Sequence, residues 1–212
     1  MNRLFFLSLL FISVAACPDK KHSSLLANPA GRTGKPGTVI YTDTTITLFG
    51  DSSYKLNLRL FDTTNRYEAE KKNTVLTFSK QYRNQIKIFF RDSLFCMYPG
   101  IDFKDFNNDK IKDVMIFYYT GARANETYHL YLTDEKSHNL IRVKGFEELP
   151  NPVLNTTTNI ITSIALSGTN YYGFYRIDTK NNLINLGHSF EENPNDSTQY
   201  EKAIRQILKK RE

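Results

Sequence analysis

Short apolar segments recur along most of the chain, separated by polar and turn-forming residues. In the clearest example, Tyr54–Leu60, apolar and polar residues alternate, so one tyrosine and three leucines share one pleat face. Short segments rich in β-branched and aromatic residues between turn signals predict strands. The predicted strands are Thr44–Phe49, Tyr54–Phe61, Thr74–Phe78, Gln85–Phe90, Leu94–Met97, Val114–Tyr119, Tyr128–Thr133, Leu140–Val143, Ile160–Leu166, Tyr172–Ile177 and Leu183–His188.

One segment near the C-terminus has a helical period instead. Its apolar residues share one stripe: Tyr200, Ala203, Ile204, Ile207 and Leu208. This spacing predicts a helix over Gln199–Lys210, capped by Asp196 or Ser197. Together, the segments predict an all-β domain, either an antiparallel sandwich or a propeller-like assembly of sheets, with one C-terminal α-helix. The sequence shows no internal repeat of fixed period, which argues against a propeller built from sequence repeats.

The N-terminus has the order of a processed export signal. Arg3 precedes the apolar run Leu4–Ser13, and Val14–Ala16 precedes Cys17. The run is shorter than the ~20 residues of a membrane-spanning helix, so it predicts a cleaved signal peptide. The Val-Ala-Ala-Cys ending resembles the lipobox of bacterial lipoproteins, which implies cleavage before Cys17 and attachment of lipid to its sulfur. A plain secreted protein with Cys17 just past the cleavage site is the alternative.

Three segments follow from this interpretation: a lipoprotein signal peptide over residues 1–16, a lipidated Cys17 with a flexible tether over residues 17–37, and a single β-rich domain over residues 38–212. The tether is polar and interrupted by proline and glycine, so it cannot bury enough apolar surface to fold. We therefore predict a protein of the bacterial cell envelope, anchored to a membrane by lipid and facing the periplasm or the cell surface.

The charges are dispersed among both signs. The net charge is +6, and it falls to +5 when Arg3 leaves with the predicted signal peptide. A nucleic-acid-binding protein would concentrate its positive charge on one face, so we predict no nucleic-acid partner. The basic run Lys209–Arg211 is explained more simply as the end of the predicted helix.

The cysteines and histidines give no sign of catalysis. If Cys17 carries lipid, Cys96 has no disulfide partner, and its apolar surroundings predict a small buried hydrophobic residue. The histidines are isolated from one another: His22, His129, His138 and His188. The sequence contains no nucleophile elbow and no phosphate-binding glycine loop. We therefore expect a protein that is not an enzyme.

The strongest chemical motif is the acidic loop Asp105–Asp113. Its oxygen-bearing positions alternate as in a calcium loop, which predicts structural Ca²⁺ held by Asp105, Asn107, Asp109, the Ile111 carbonyl and Asp113. Two positions depart from that pattern. Lys110 replaces the usual glycine at a sharp turn with positive φ, and Ile116 replaces the bidentate glutamate. An Asx-rich turn without metal is the alternative.

Several segments together resemble a family of bacterial calcium-loop envelope lipoproteins. They are Gln85–Ile88, Asp105–Ile116, Tyr128–Leu132, Leu149–Pro152 and Tyr171–Tyr175 with Leu183, so the resemblance covers about half of the chain. Some members of that family are immunity proteins against peptidoglycan hydrolases delivered by type IV secretion, and their fold is similar to that of inhibitors of invertebrate-type lysozyme. The resemblance therefore implies a peptidoglycan hydrolase as the partner.

The same resemblance draws attention to the segment Ser167–Tyr171. Inhibitors of invertebrate-type lysozyme use a Ser-Gly-x-x-Tyr loop, and this chain has Ser167, Gly168 and Tyr171 at those positions. Gly168 permits a tight turn, the Ser167 hydroxyl can donate to a carboxylate, and Tyr171 offers an amphipathic anchor. A glycosidase presents paired carboxylates that such a loop could occupy. An ordinary hairpin turn is the alternative.

Two functions follow from the sequence. In the first, a membrane-anchored lipoprotein binds and inhibits a lysozyme-like peptidoglycan hydrolase, or serves as an immunity protein. In the second, a calcium-stabilised surface lipoprotein binds a glycan or a protein without inhibiting an enzyme, and its contact patch contains tyrosines: Tyr118, Tyr119, Tyr171 and Tyr172. The net charge of +5 favours an acidic target over a basic lysozyme.

Overall fold

The computed structural model describes residues 40–63 and 68–210, which form three four-stranded antiparallel sheets and one α-helix. The first sheet contains β1 (Ile40–Leu48), β2 (Asp51–Leu60), β3 (Thr74–Tyr82) and β4 (Gln85–Leu94). The second contains β5 (Ile101–Lys104), β6 (Asp113–Thr120), β7 (Glu126–Asp134) and β8 (Asn139–Val143). The third contains β9 (Val153–Asn155), β10 (Ile160–Ala165), β11 (Tyr171–Ile177) and β12 (Leu183–Glu191). Helix α1 follows at Gln199–Lys209.

Each sheet is a meander in which every strand pairs with the next strand along the chain. Strands joined by short turns pair antiparallel because the chain reverses direction at each turn. The prediction of an all-β fold with a C-terminal helix is confirmed. The three sheets share this four-stranded order, although no repeat is visible in the sequence.

The alternation in β2 determines which of its faces enters the core. Tyr54, Leu56, Leu58 and Leu60 are all buried, and Lys55 and Arg59 between them are exposed. This is the face that the period-two pattern predicts.

The second sheet is buried on both faces. Val114 and Ile116 pack into a core with the first sheet, whereas Met115 packs into a second core with Ile161 of the third sheet. Neighbouring side chains of a strand point to opposite faces, so a strand between two sheets must be apolar at consecutive positions. The run Val114–Ile116 meets that requirement.

Helix α1 covers one face of the third sheet. Its buried residues Ala203, Ile204 and Ile207 pack against Ile160 and Phe174. The predicted stripe is confirmed, and the observed helix is one residue shorter at its C-terminal end than the predicted one.

The predicted cap of α1 is wrong. Thr198 is the N-cap residue, and its side chain makes no capping hydrogen bond. Asp196 lies before the N-cap residue and accepts hydrogen bonds from the backbone N–H and the hydroxyl of Thr198. It also forms an ion pair with Lys202 at 2.9 Å. Asp196 therefore orders the entry to the helix without capping it.

The strand prediction fails in three places. Leu94 ends β4, so the predicted strand Leu94–Met97 is wrong, and the residues after Leu94 form a buried connection. Strands β5 and β9 were not predicted. Both are short, with four and three residues, and β9 directly follows Pro152. Elements of this length carry little periodicity, and their pairing partners define them.

The buried connection is held by Asn73, which precedes β3. The Asn73 side chain accepts a hydrogen bond from the Cys96 N–H and donates one to the Cys96 carbonyl, both at 2.9 Å. An asparagine side chain thus replaces a strand neighbour and satisfies both backbone groups. Cys96 is fully buried, as predicted, and burial raises the pKa of its thiol to about 12.

No helix in the described part of the chain is long and apolar enough to cross a membrane. The predicted signal peptide, Cys17 and the predicted tether lie outside the described residues.

Candidate functional site

The Ser-Gly-x-x-Tyr segment forms the exposed connection between β10 and β11. Ala165 and Tyr171 are the last paired residues of the two strands, and 45% of Tyr171 is exposed. Inside the loop the Ser167 hydroxyl donates to the Thr169 carbonyl, and the Ser167 N–H donates to Asn170 Oδ1 at 3.4 Å. The segment lies between two strands, as the sequence predicts, and its role in binding a partner stays a prediction. The hydroxyl proton of Ser167, however, is used within the loop.

Side chains from other elements fasten the base of this loop. Asn125, just before β7, accepts a hydrogen bond from the Leu166 N–H at 2.7 Å and donates one to the Leu166 carbonyl at 2.9 Å. Asn170 donates from its side chain to Glu192 at 2.7 Å and accepts from the Glu192 N–H at 2.8 Å. Both ends of the loop are therefore anchored, and a pre-ordered loop loses less entropy on binding.

Asn151 connects Asn125 to strand β10 through hydrogen bonds. Its side-chain amide donates to Asn125 Oδ1 at 3.2 Å and to the Ile164 carbonyl at 3.0 Å. Its carbonyl oxygen accepts from the Glu126 N–H at 3.1 Å. Asn151 adopts φ 46°, a conformation that asparagine tolerates better than most residues. It belongs to the Leu-Pro-Asn-Pro segment, and its role is to position the loop.

The turn between β6 and β7 brings a guanidinium to the same loop. A Cβ atom placed on Gly168 would lie 3.8 Å from Nη1 of Arg123. Arg123 and the following Ala124 have φ of 61° and 56°, a region that costs a non-glycine residue about 1 kcal/mol. Strained backbone of this kind clusters at functional sites. Arg123 was not predicted as a site residue. It lies between β6 and β7, and no sequence pattern indicates that this connection contacts the one between β10 and β11.

This corner can bind an anion. The Arg123 side chain is exposed and makes no ion pair within the described ranges. A guanidinium presents paired donors that match a carboxylate. Tyr171, which lies close to Gly168 in sequence, adds an amphipathic ring. Arg123, Gly168 and Tyr171 thus combine charge, backbone access and an aromatic surface.

The acidic loop is ordered by its own side chains. Asp105 accepts hydrogen bonds from the backbone N–H groups of Asn108 at 2.6 Å and Lys110 at 2.8 Å. Asp109 accepts from the Ile111 N–H at 2.8 Å, and the Asn107 amide donates to Asp109 at 2.8 Å. These contacts form the Asx-type network that the sequence left open as the alternative.

Lys110 has the backbone conformation that a calcium loop requires at its sixth position. Its φ is 74°, although lysine replaces the glycine that such loops prefer there. Within the described residues, however, no three histidine, cysteine or acidic side chains are grouped to hold a metal by themselves. The cavity of about 390 Å³ beside the loop is lined by Asn107 and Asp109, and also by Asp134 and Glu135. Ca²⁺ binding stays a prediction.

Asp113 is the buried end of the loop. Its carboxylate accepts hydrogen bonds from the Phe106 N–H at 2.8 Å and the Thr133 N–H at 3.1 Å. Burial raises the pKa of Asp113 to about 7, against the opposing effect of these two hydrogen bonds. Asp105 and Asp109 add to the rise through their charges. Asp113 therefore fastens the loop to β7.

His129 belongs to a separate, buried network. Its Nε2 contacts the Phe95 carbonyl at 3.1 Å, so this nitrogen carries the proton, and its Nδ1 accepts from Arg142 at 3.1 Å. Arg142 also pairs with Asp92 and Glu147, each at 3.0 Å. Burial and then the charge of Arg142 lower the pKa of His129 to about 4. The arrangement keeps His129 neutral and links strands of two sheets.

Comparison with known proteins leaves the family open. No family model matches the chain, and no curated protein matches it. Among solved structures, the chain is similar to a protein described as a Xanthomonas type IV secretion system related protein. The two are 13% identical with a TM-score of 0.44, over 75% of this chain and 85% of that one. A similarity at this TM-score does not establish a shared fold, and it assigns no function to this chain.

Proposed function

We propose that this protein is a lipid-anchored inhibitor that binds a lysozyme-like peptidoglycan hydrolase, in the manner of an immunity protein. The observation that carries the proposal is the anchored, exposed loop Ser167–Tyr171 with the guanidinium of Arg123 beside Gly168. The family resemblance of the sequence points to the same class of partner.

The chemistry of the corner supports this target. A glycosidase positions two carboxyl groups around its cleft, and at least one of them is ionised in the resting enzyme. Arg123 would pair with such a carboxylate, and Tyr171 would cover the apolar wall of the cleft. Because the Ser167 hydroxyl donates to Thr169, we assign the principal donor role to Arg123 and a turn-forming role to Ser167.

The location of the protein fits the same role. The predicted lipid on Cys17 and the tether over residues 17–37 would hold the β-domain next to the cell wall, where a peptidoglycan hydrolase acts. The positive net charge of the mature chain would attract an acidic hydrolase.

An inhibition assay tests the proposal. A panel of acidic and basic peptidoglycan hydrolases is assayed on purified peptidoglycan with increasing amounts of the protein. We expect at least one acidic hydrolase to be inhibited, and Arg123→Ala and Tyr171→Ala each to weaken inhibition by about tenfold or more, as for central anchors of an interface.

Matched controls separate the site from general effects. Arg91→Ala removes an exposed arginine from β4, and Tyr82→Ala removes an exposed tyrosine from the end of β3. Both should inhibit as the natural protein does. If no hydrolase is inhibited, the proposed function is wrong. If inhibition persists in the Arg123 and Tyr171 variants, the loop is not the contact site.

A further inference from the structure

A β-bulge in β6 places two consecutive tyrosines at the same cavity. Phe117 pairs with Tyr128 and Tyr119 pairs with Thr127, so Tyr118 is the extra residue. Consecutive side chains of a regular strand point to opposite faces, and a bulge re-aims one of them. As a result, Tyr118 and Tyr119 both line a cavity of about 620 Å³.

Neighbouring aromatic side chains pack against the aromatic wall of this cavity. The Tyr118 ring packs against His129 with centroids 4.7 Å apart and meets the edge of Phe95 at 5.8 Å. Its backbone carbonyl accepts a hydrogen bond from the Met97 N–H at 2.9 Å. The Tyr119 ring lies 6.4 Å from that of Tyr118 at an angle of 55°, so the two rings form an open corner.

The opposite wall is polar and acidic. It is formed by Glu68, Ala69, Glu70 and Lys71, which belong to the connection between β2 and β3. Lys71 is paired with Glu68, whereas Glu70 makes no ion pair with any residue that the structure describes. Two carboxylates and one ammonium leave this wall with a net negative charge, so it would repel polyanions.

We propose that this cavity binds a neutral saccharide. Its volume is that of a small-ligand site, and it combines aromatic surface with a few polar groups. The ring faces of Tyr118 and Tyr119 suit the apolar C–H faces of a sugar, and the carboxylate of Glu70 accepts hydrogen bonds from its hydroxyl groups. Neither tyrosine hydroxyl has a hydrogen-bond partner within the described residues, so both are available to a ligand.

The saccharide site is distinct from the inhibitory loop. It uses Tyr118, Tyr119 and Glu70, and none of Arg123, Gly168 or Tyr171. It therefore does not depend on the proposed inhibition, and each can fail without the other.

Isothermal titration calorimetry tests the proposal. The purified protein is titrated with two neutral trisaccharides, tri-N-acetylchitotriose and maltotriose, with the anionic polysaccharide heparin, and with a random tripeptide mixture. We expect one of the neutral trisaccharides to bind. We expect Tyr119→Ala to weaken that binding by about tenfold, the loss of one stacking contact. Tyr119→Phe, which keeps the ring, should retain most of it, and Glu70→Gln should weaken it.

Tyr82→Ala is the matched control, because it removes an exposed tyrosine outside the cavity. It should bind the trisaccharide as the natural protein does. Circular dichroism melting of each variant separates loss of binding from loss of folding. The proposal is overturned if neither neutral trisaccharide binds, if only heparin or the peptides bind, or if folded Tyr119→Ala binds as tightly as the natural protein.

Discussion

Asn73 shows how one buried polar residue can replace a stretch of sheet. Its side chain satisfies both backbone groups of Cys96, and its oxygen also accepts from the Thr74 hydroxyl at 2.9 Å. Nothing in the sequence distinguishes Asn73, because an asparagine between a pair of lysines and a strand is typical of an exposed turn. Asn73 acquires its structural role only because the fold places the backbone of Cys96 next to its side chain.

Replacing Asn73 should therefore destabilise the protein strongly. In Asn73→Ala, the Cys96 N–H and carbonyl stay buried without partners, and each unsatisfied group costs about 1–3 kcal/mol. Asn73→Asp keeps the acceptor but loses the donor and buries a charge, so it should also destabilise. Urea unfolding measures the loss. Asn84→Ala, in an exposed turn, is the control, and an equally small effect of both alanine variants would contradict the assigned role.

His129 makes a contribution to stability that depends on pH. Its pKa is lowered from 6.5 to about 4, so the unfolded chain takes up a proton in this interval while the folded protein does not. The contribution is present above pH 6.5 and is lost as the pH falls towards 4, with a total of roughly 3 kcal/mol.

The measurement is the free energy of unfolding in urea between pH 7 and pH 4.5, for the natural protein and for His129→Gln. Glutamine keeps a donor for the Phe95 carbonyl and has no proton to take up in this range. The variant should be less stable at pH 7 and should lose less stability on acidification. Parallel curves for the two proteins would show that His129 does not titrate as described.

At the scale of elements, the backbone of the acidic loop and its predicted metal binding depend on different parts of the chain. Lys110, a departure from the calcium-loop pattern in sequence, adopts the positive φ that the pattern requires, and calcium binding stays a prediction. The backbone follows from the local spacing of Asp105 and Asp109, whose carboxylates accept nearby N–H groups. Metal binding also depends on ligands from other segments, and local spacing does not specify these.

Lys110→Gly should stabilise the loop, since glycine adopts a positive φ without the cost of about 1 kcal/mol. It should also strengthen Ca²⁺ binding, because it removes a positive charge next to the ligands. Thermal melting with Ca²⁺ and with chelator measures both effects. Lys112→Ala, which removes the same charge without changing a strained position, is the control.

Two outcomes count against this account of the loop. A melting temperature that is equal in Ca²⁺ and chelator for the natural protein and for Asp109→Ala would contradict the calcium proposal. Equal stabilisation by Lys110→Gly and Lys112→Ala would attribute the effect to charge and not to backbone strain.

At the scale of the whole molecule, the predicted attachment to a membrane depends on Cys17, which lies outside the described ranges. We expect the protein, expressed in a bacterium, to incorporate labelled fatty acid and to sediment with membranes. Cys17→Ser should lose both properties, because the serine hydroxyl cannot form the thioether. Cys96→Ala is the control and should keep the label. Fatty-acid labelling of the Cys17→Ser protein would contradict the predicted anchor.

The sequence by itself determined the features that depend on local periodicity. The buried face of β2 and the apolar stripe of α1 both follow from the spacing of side chains along one element. Pleat and helix geometry fix that spacing, so a few neighbouring residues carry the whole signal.

Only the tertiary structure decided which residues from different parts of the chain are in contact. It buried both faces of the second sheet, brought Arg123 to Gly168 and turned Tyr118 towards Tyr119. These neighbours come from different strands, from different connections between strands, or from a bulge whose position depends on pairing with β7. Packing between sheets creates such contacts, and packing depends on the complementary shapes of surfaces that no single segment contains.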